Sequence, residues 1–276
     1  MRLSLCNEVV RELPFVQQCA LAASLGYQAL ELSPFTLAPD PFTLERKDAR
    51  EFLAIAKDHG LQISSLHWLL VKPDGLSLVS AEYAVRQRTM ELLHRLVDFA
   101  AACEAQVLVH GSPKQRSPLP GQSDAEALAI LQDSLASLAE HATQLGLIYC
   151  IEPLGPFETT IINTVGEGAK MVDAIGSPGL RTMFDLSAAS HSETEPVDTV
   201  LANYLASGHI AHIQVNDRNR RGPGQGDTPV APVLQVLTDS KYQGWIAVEP
   251  FEYLPNSVGC AAFCAGYLRG VWSALK

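Results

Sequence analysis

The chain has no uninterrupted apolar run near the ~18 residues of a transmembrane helix, so no membrane span or membrane partner is expected. It has no CxxC pair. Its six cysteines, Cys6, Cys19, Cys103, Cys150, Cys260 and Cys264, are scattered, which points to buried free thiols in a reducing cytoplasm rather than a disulfide framework or thiolate metal site. Basic residues are in the minority, 20 against 30 acidic ones, and the net charge is −10. A general nucleic-acid binder needs a basic face, so no nucleic-acid partner is expected. The opening MRLSLCNEVV is too short in apolar residues for a secretory signal, and no small-residue cleavage site follows. No linker, low-complexity tract or charge block divides the 276 residues, which are read as one domain over 1–276.

Short β-rich runs alternate with longer helical ones. The strand-like runs are RLSLC, YQALEL, LQISSLH, AQVLVH, LIYCIE, LRTMFD, HIAHIQV and GWIAVE. Helical stretches separate them, several closed by a glycine such as Gly26, Gly60 or Gly146. Ser123, Asp124 and Glu126 form an N-cap with acids in the first turn of one of these helices. SVGCAAFCAGYLRGVWSALK is the closing helix. Eight strand–helix pairs imply a parallel sheet with helical crossovers. With no GxGxxG after the first strand, the expected fold class is α/β, a (β/α)₈ TIM barrel.

The links after strands are long and rich in Pro, Gly and charge; those after helices are short. This asymmetry is expected when one barrel face carries the site. Glu152 closes IYCIE, Asp185 closes LRTMFD, His212 lies in HIAHIQV and Glu249 closes GWIAVE, at intervals of 33, 27 and 37 residues. Each interval is long enough for one strand–helix unit, so the four groups would stand at four successive strand ends. Two Glu, one Asp and one His form a hard, oxygen-rich donor set. It suits one divalent Mn²⁺, Mg²⁺ or Co²⁺ ion, with Zn²⁺ also admissible.

IEP at 151–153, the FD strand end, HIQVNDRNRRGPGQGD from 212 and AVEPF from 247, with GSPKQR at 111–116, resemble the xylose-isomerase-like TIM-barrel superfamily. Within it they resemble the sugar phosphate isomerase/epimerase family and its ketose 3-epimerases. The resemblance implies that Glu152, Asp185, His212 and Glu249 hold the metal. It implies that Glu152 and Glu249 also exchange protons with the reacting carbon, and that Glu158 and Arg218 bind substrate. The family's substrate-binding His, three residues after the Asp ligand, is replaced here by Ala188, with His191 three residues further on. The activity so implied is that of an isomerase or epimerase of sugars or sugar phosphates, working through an enediolate.

His67 and His110, at the ends of strands 3 and 4, are further candidates for substrate contact, or else hydrogen-bonded rim residues. Glu31, inside strand 2, either reaches the substrate or pairs with a basic neighbour. Lys114 and Arg116 meet either the ligand or surface acids. The remaining arginines of the strand-7 loop, Arg220 and Arg221, either cover the substrate or are solvated. The same strand-end pattern would serve a dehydratase acting on an inosose-type polyol ketone. An endonuclease IV-type nuclease on this fold needs three zinc ions and extra ligands, which His67 and His110 would have to supply. The outer helices leave a homo-oligomer open.

Overall fold

Eight short strands, none longer than six residues, hydrogen-bond in sequence order into a closed parallel barrel. They are β1 Leu3–Cys6, β2 Ala29–Leu32, β3 Gln62–Leu66, β4 Val107–His110, β5 Ile148–Ile151, β6 Leu180–Asp185, β7 Ile210–Val215 and β8 Ile246–Val248. The computed structural model describes residues 1–275; the last residue of the expected closing helix, Lys276, lies outside them. The ring closes where Leu3, Ser4 and Leu5 pair with Ile246, Ala247 and Val248. Between consecutive strands the chain returns through helices such as Phe15–Ser24, Arg46–Asp58, Tyr83–Ala102 and Asp124–Gln144. The expected (β/α)₈ barrel is the observed fold.

Side chains alternate across each strand, so one set faces the helices and the other fills the barrel. Leu3, Leu5, Leu30, Leu32, Ile63, Tyr149, Ile213 and Val215 belong to one large apolar layer shared with the helices. A fully buried Leu or Val contributes about 1.5–3 kcal/mol. This layer therefore dominates stability and leaves the interior free to carry polar groups. Val107, Val109, Cys150 and Met183 form a separate small apolar cluster. Beside them, Ser4 Oγ lies 2.7 Å from Ser64 Oγ, and Gln214 Nε2 donates to Glu31 Oε1 at 2.6 Å, all fully buried.

Local signals set the ends of the elements. The Ser123 hydroxyl accepts from Glu126 N while the Glu126 carboxylate accepts from Ser123 N. This reciprocal cap starts the helix at Asp124. Gly176 ends the helix Val165–Ile175 in the left-handed region, at φ 66°, where a side chain would be strained. Five short helical turns in the links after strands were not expected, among them Pro34–Leu37, Pro41–Thr43 and Pro113–Arg116, and two more bear on the site. A single 3₁₀ turn, Asn7–Val10, follows β1, and the helix Leu186–Ser192 follows β6. Both lie at the strand C-termini, and both carry groups used by the site.

Candidate active site

Three carboxylates meet at the C-terminal mouth. Glu152 follows β5 directly, its N–H donating to the His110 carbonyl at 3.2 Å, and Glu249 follows β8 with its N–H on the Val215 carbonyl at 3.2 Å. The inter-strand ladder thus fixes the backbone of both. Asp185 ends β6 and caps the next helix, Oδ1 accepting from Ala188 N at 2.7 Å and Oδ2 from Asn216 Nδ2 at 2.8 Å. Ligand oxygens of Glu152, Asp185 and Glu249 lie within 4.8 Å of one another, on side chains that are all buried. Gly111 makes room for this cluster, because a methyl group there would collide with Glu152 Oε2.

Burial without enough positive charge displaces these acids upward. Desolvation, then repulsion from Glu249 and Asp185, holds the Glu152 carboxyl well above the usual carboxylate range. Burial pushes Asp185 up to about 7 against the pull of its two hydrogen bonds. Burial pushes Glu249 up to about 8, although His67 opposes the shift. Glu249 Oε2 is buried and has no hydrogen-bond partner. A cluster of oxygen donors short of positive charge, one of them orphaned, fits a divalent cation.

His212 is not part of that three-carboxylate group and is held by Glu31. Its Nε2 lies 2.6 Å from Glu31 Oε2. This is a close ion-pair contact whose alignment falls short of a straight hydrogen bond. Its other ring nitrogen takes no bond from any described residue. Burial alone would raise the Glu31 carboxyl, but the neighbouring His212 and His67 and the Ser65 hydroxyl lower it to about 2. Of the two readings open for Glu31, pairing with a basic neighbour is the one observed.

His67 is fully buried and bridges carboxylates with opposite ring nitrogens. Nδ1 lies 3.1 Å from Glu249 Oε1, and Nε2 lies 3.0 Å from Glu8 Oε2 and 2.8 Å from Ser33 Oγ. Burial opposes its charge, but the attraction of Glu8 and Glu31 and the hydrogen bonds to Glu249 and Glu8 prevail, and its pKa lies well above the usual histidine range. His110 is also fully buried, with Nδ1 2.7 Å from the Tyr149 hydroxyl. Burial first, and Arg116 second, lower it to about 3. Neither histidine lines the cavity that opens above the carboxylates.

A cavity of about 320 Å³ opens above the carboxylates, lined by Glu152, Asp185, Glu158, Trp68, Phe251 and Arg220 among others. Glu158, marked from sequence as a substrate group, reaches it, as do Lys114 and Ala188. Arg218 does not. It is exposed, lines a separate surface groove, and spends its backbone N–H on Thr228 Oγ1. A tight turn explains the exchange. Arg220 N donates to Asp217 O at 2.8 Å, Asp217 N donates to Arg221 O at 2.9 Å, and Arg220 adopts φ 68°. The loop doubles back and brings Arg220 in. Its guanidinium lies 4.1 Å from the Phe251 ring centroid and 3.5 Å from Glu158 Oε1.

His191 does not fill the place of the missing family histidine; its Nε2 meets the Arg218 carbonyl at 2.9 Å and its ring packs edge-on to Phe157. Arg116 is neither a ligand contact nor a surface pair. It is fully buried, and Nη1 donates to the Glu152 carbonyl at 2.6 Å, bracing the strand-5 loop. Sequence reasoning passed over Glu8, Gln214 and Asn216. Gln214 was findable, since it shares the inward parity of His212 on β7, two residues away.

Residues 19–259 match the family described as xylose isomerase-like TIM barrel. The chain is 28% identical over 182 residues to a Synechocystis sp. protein named a probable ketose 3-epimerase, covering 66% of this chain and 62% of that one. It is 31% identical over 126 residues to the D-psicose 3-epimerase of Enterocloster bolteae, covering 46% and 41%. The matched stretches thus span less than two thirds of these relatives' own lengths. The solved D-psicose 3-epimerase with D-tagatose from Clostridium cellulolyticum H10 superposes with a TM-score of 0.81 at 19% identity, over 100% of both chains. With the profile spanning nearly the whole barrel, this chain belongs to the xylose isomerase-like TIM barrel family.

Proposed function

We propose that the protein is a divalent-metal-dependent isomerase or epimerase of a small sugar or polyol ketone, with Glu152 and Glu249 as its acid/base pair. One observation carries this reading. Three buried carboxylates from β5, β6 and β8 converge under the cavity, and burial raises them towards neutral pH. The names of the relatives, ketose 3-epimerase and D-psicose 3-epimerase, support the substrate class.

Glu152, Asp185, Glu249 and the free nitrogen of His212 would hold the ion, with Mn²⁺, Mg²⁺ or Co²⁺ favoured by the hard donor set. When bound, the ion supplies Lewis acidity that stabilises negative charge developing on the substrate's oxygens. The protein's own groups do the rest. One of the two glutamates takes the proton from the carbon beside the carbonyl, and the C–H electron pair becomes the C=C bond of an enediolate. The other glutamate returns a proton. Return to the opposite face of that carbon inverts it; return to the neighbouring carbon interconverts aldose and ketose. Glu152 and Glu249 stand on strands three places apart around the ring, so they approach a ligand between them from different sides. Glu158 and Arg220 contact the substrate's distal hydroxyls.

The test is a panel of free ketoses, ketose phosphates and inososes, assayed with the Mn²⁺-loaded protein by NMR of the products. Epimerised or isomerised ketose is the expected product. Water-eliminated product from an inosose alone would replace the reading with a dehydratase.

A further inference from the structure

The two oxygens of Glu249 have unequal surroundings. Oε1 accepts from the indole Nε1–H of Trp68 at 2.7 Å and lies 3.1 Å from His67 Nδ1. Oε2 is buried with no partner. An indole N–H is a donor only and does not titrate, so this bond persists whatever the protonation of its neighbours. The Trp68 ring is clamped in turn. It stacks on Phe35 at 5.9 Å and 27°, and on Phe251 at 5.8 Å and 29°. Trp68 itself sits at φ 51°, a left-handed conformation rare for a bulky residue. Such a backbone persists only where the surroundings over-determine it, and functional sites are where this is most often found.

We propose that Trp68 is a positioning residue for the proton-transfer step: it anchors Glu249 Oε1 and thereby assigns Oε2 alone to the metal and the reacting carbon. The inference rests on the reading of Glu249 as an acid/base group. A free carboxylate can turn its plane and exchange its two oxygens. Here the exchange breaks the indole bond and the His67 contact together. The anchored carboxylate leaves Oε2 as its one uncommitted oxygen, Glu249 presents a ligand oxygen within 4.8 Å of those of Glu152 and Asp185, and a misdirected base loses rate steeply with small displacements. The same ring forms part of the cavity wall.

The experiment uses the full chain, ¹⁵N-labelled, and steady-state kinetics on the best ketose of the panel. The chain has three tryptophans, Trp68, Trp245 and Trp272. In the ¹H–¹⁵N spectrum, the indole resonance that disappears in Trp68→Phe belongs to Trp68; the other two report that the fold is intact. In Glu249→Ala the Trp68 resonance is expected to move upfield and to exchange faster with solvent. An unmoved resonance overturns the contact. Phenylalanine keeps the stack between Phe35 and Phe251 and removes only the donor. Trp68→Phe is therefore expected to lower kcat ~10- to 100-fold, with KM within about threefold. A kcat near wild type overturns the proposal, as does a rise in KM alone, which would make Trp68 merely a wall. Glu249→Gln is measured alongside. If it is inactive while Trp68→Phe is normal, only the role of Trp68 fails. If Glu249→Gln itself stays active, the acid/base reading fails instead.

Discussion

Glu31 Oε2 lies 2.6 Å from Nε2 of His212, with both side chains buried. An acceptor carboxylate there keeps the ring N–H on Nε2 and leaves the lone pair of the opposite nitrogen free for a metal. Gln214 and Ser65 hold the glutamate in turn. Loss of such a supporting group typically lowers metal affinity or activity 10- to 100-fold. Glu31→Gln is expected to weaken Mn²⁺ binding by about that factor, measured by calorimetric titration of the metal-free protein. Unchanged affinity would mean that the pair is structural.

Metal binding should release protons. Burial raises Asp185 to about 7 and Glu249 to about 8 and holds Glu152 well above the usual carboxylate range, so the metal-free cluster retains protons at neutral pH. A cation must displace those protons, so affinity rises with pH through this range and falls below it. Stability follows the same linkage. A carboxyl whose folded pKa is raised binds more protons folded than unfolded, so the metal-free protein loses stability as pH rises from the ordinary carboxylate range through 7 and 8. The rise in Tm on adding Mn²⁺ should therefore be larger at pH 8 than at pH 6. Thermal melts with and without the ion at the two values check this; an increment independent of pH would contradict it.

Gly111 should be intolerant of a side chain for a local reason. Alanine there places a methyl group against Glu152 Oε2, which must shift. Gly111→Ala is expected to lower kcat and Mn²⁺ affinity together while Tm moves little. Loss of folding with no separate effect on the metal would place the constraint on the backbone instead.

The strand-7 loop separates its arginines. Arg220 lines the cavity and Arg218 does not. A charged hydrogen bond to substrate is worth about 1.5–3 kcal/mol, so Arg220→Ala should raise KM ~10- to 100-fold. Arg218→Ala should leave it close to wild type. Steady-state kinetics on the best ketose of the panel decide between them, and the reverse ranking would show that the loop rearranges on binding.

Much of this architecture was legible in the sequence because it follows from period and parity. The eight β-rich runs each hold an observed strand, and Glu152, Asp185 and Glu249 were marked at the strand ends where they now converge. What was not legible lies in loops and second contacts. The spacing from His212 pointed to Arg218, but the Asp217–Arg221 turn and the left-handed Arg220 shift the inward position by two residues, and such a turn leaves no periodic trace. Glu8 lies beyond the strand-like run RLSLC and carried no signal of its own; only the 3₁₀ turn Asn7–Val10 brings it to His67. Trp68 stood next to a candidate histidine, yet its bond to Glu249 spans 181 residues and depends on barrel closure.

The central claim is that Glu152 and Glu249 carry the proton. Its most direct measurement is deuterium incorporation from D₂O at the carbon beside the carbonyl of a turned-over ketose, in the wild-type protein and in Glu152→Gln and Glu249→Gln. The account predicts incorporation by the wild type. It predicts loss of both turnover and exchange in each variant, with metal-loaded protein still folded, since an amide cannot act as a carboxylate base. Full conversion by the wild type with no deuterium in the product would contradict it, and would assign the reaction to a direct hydride shift.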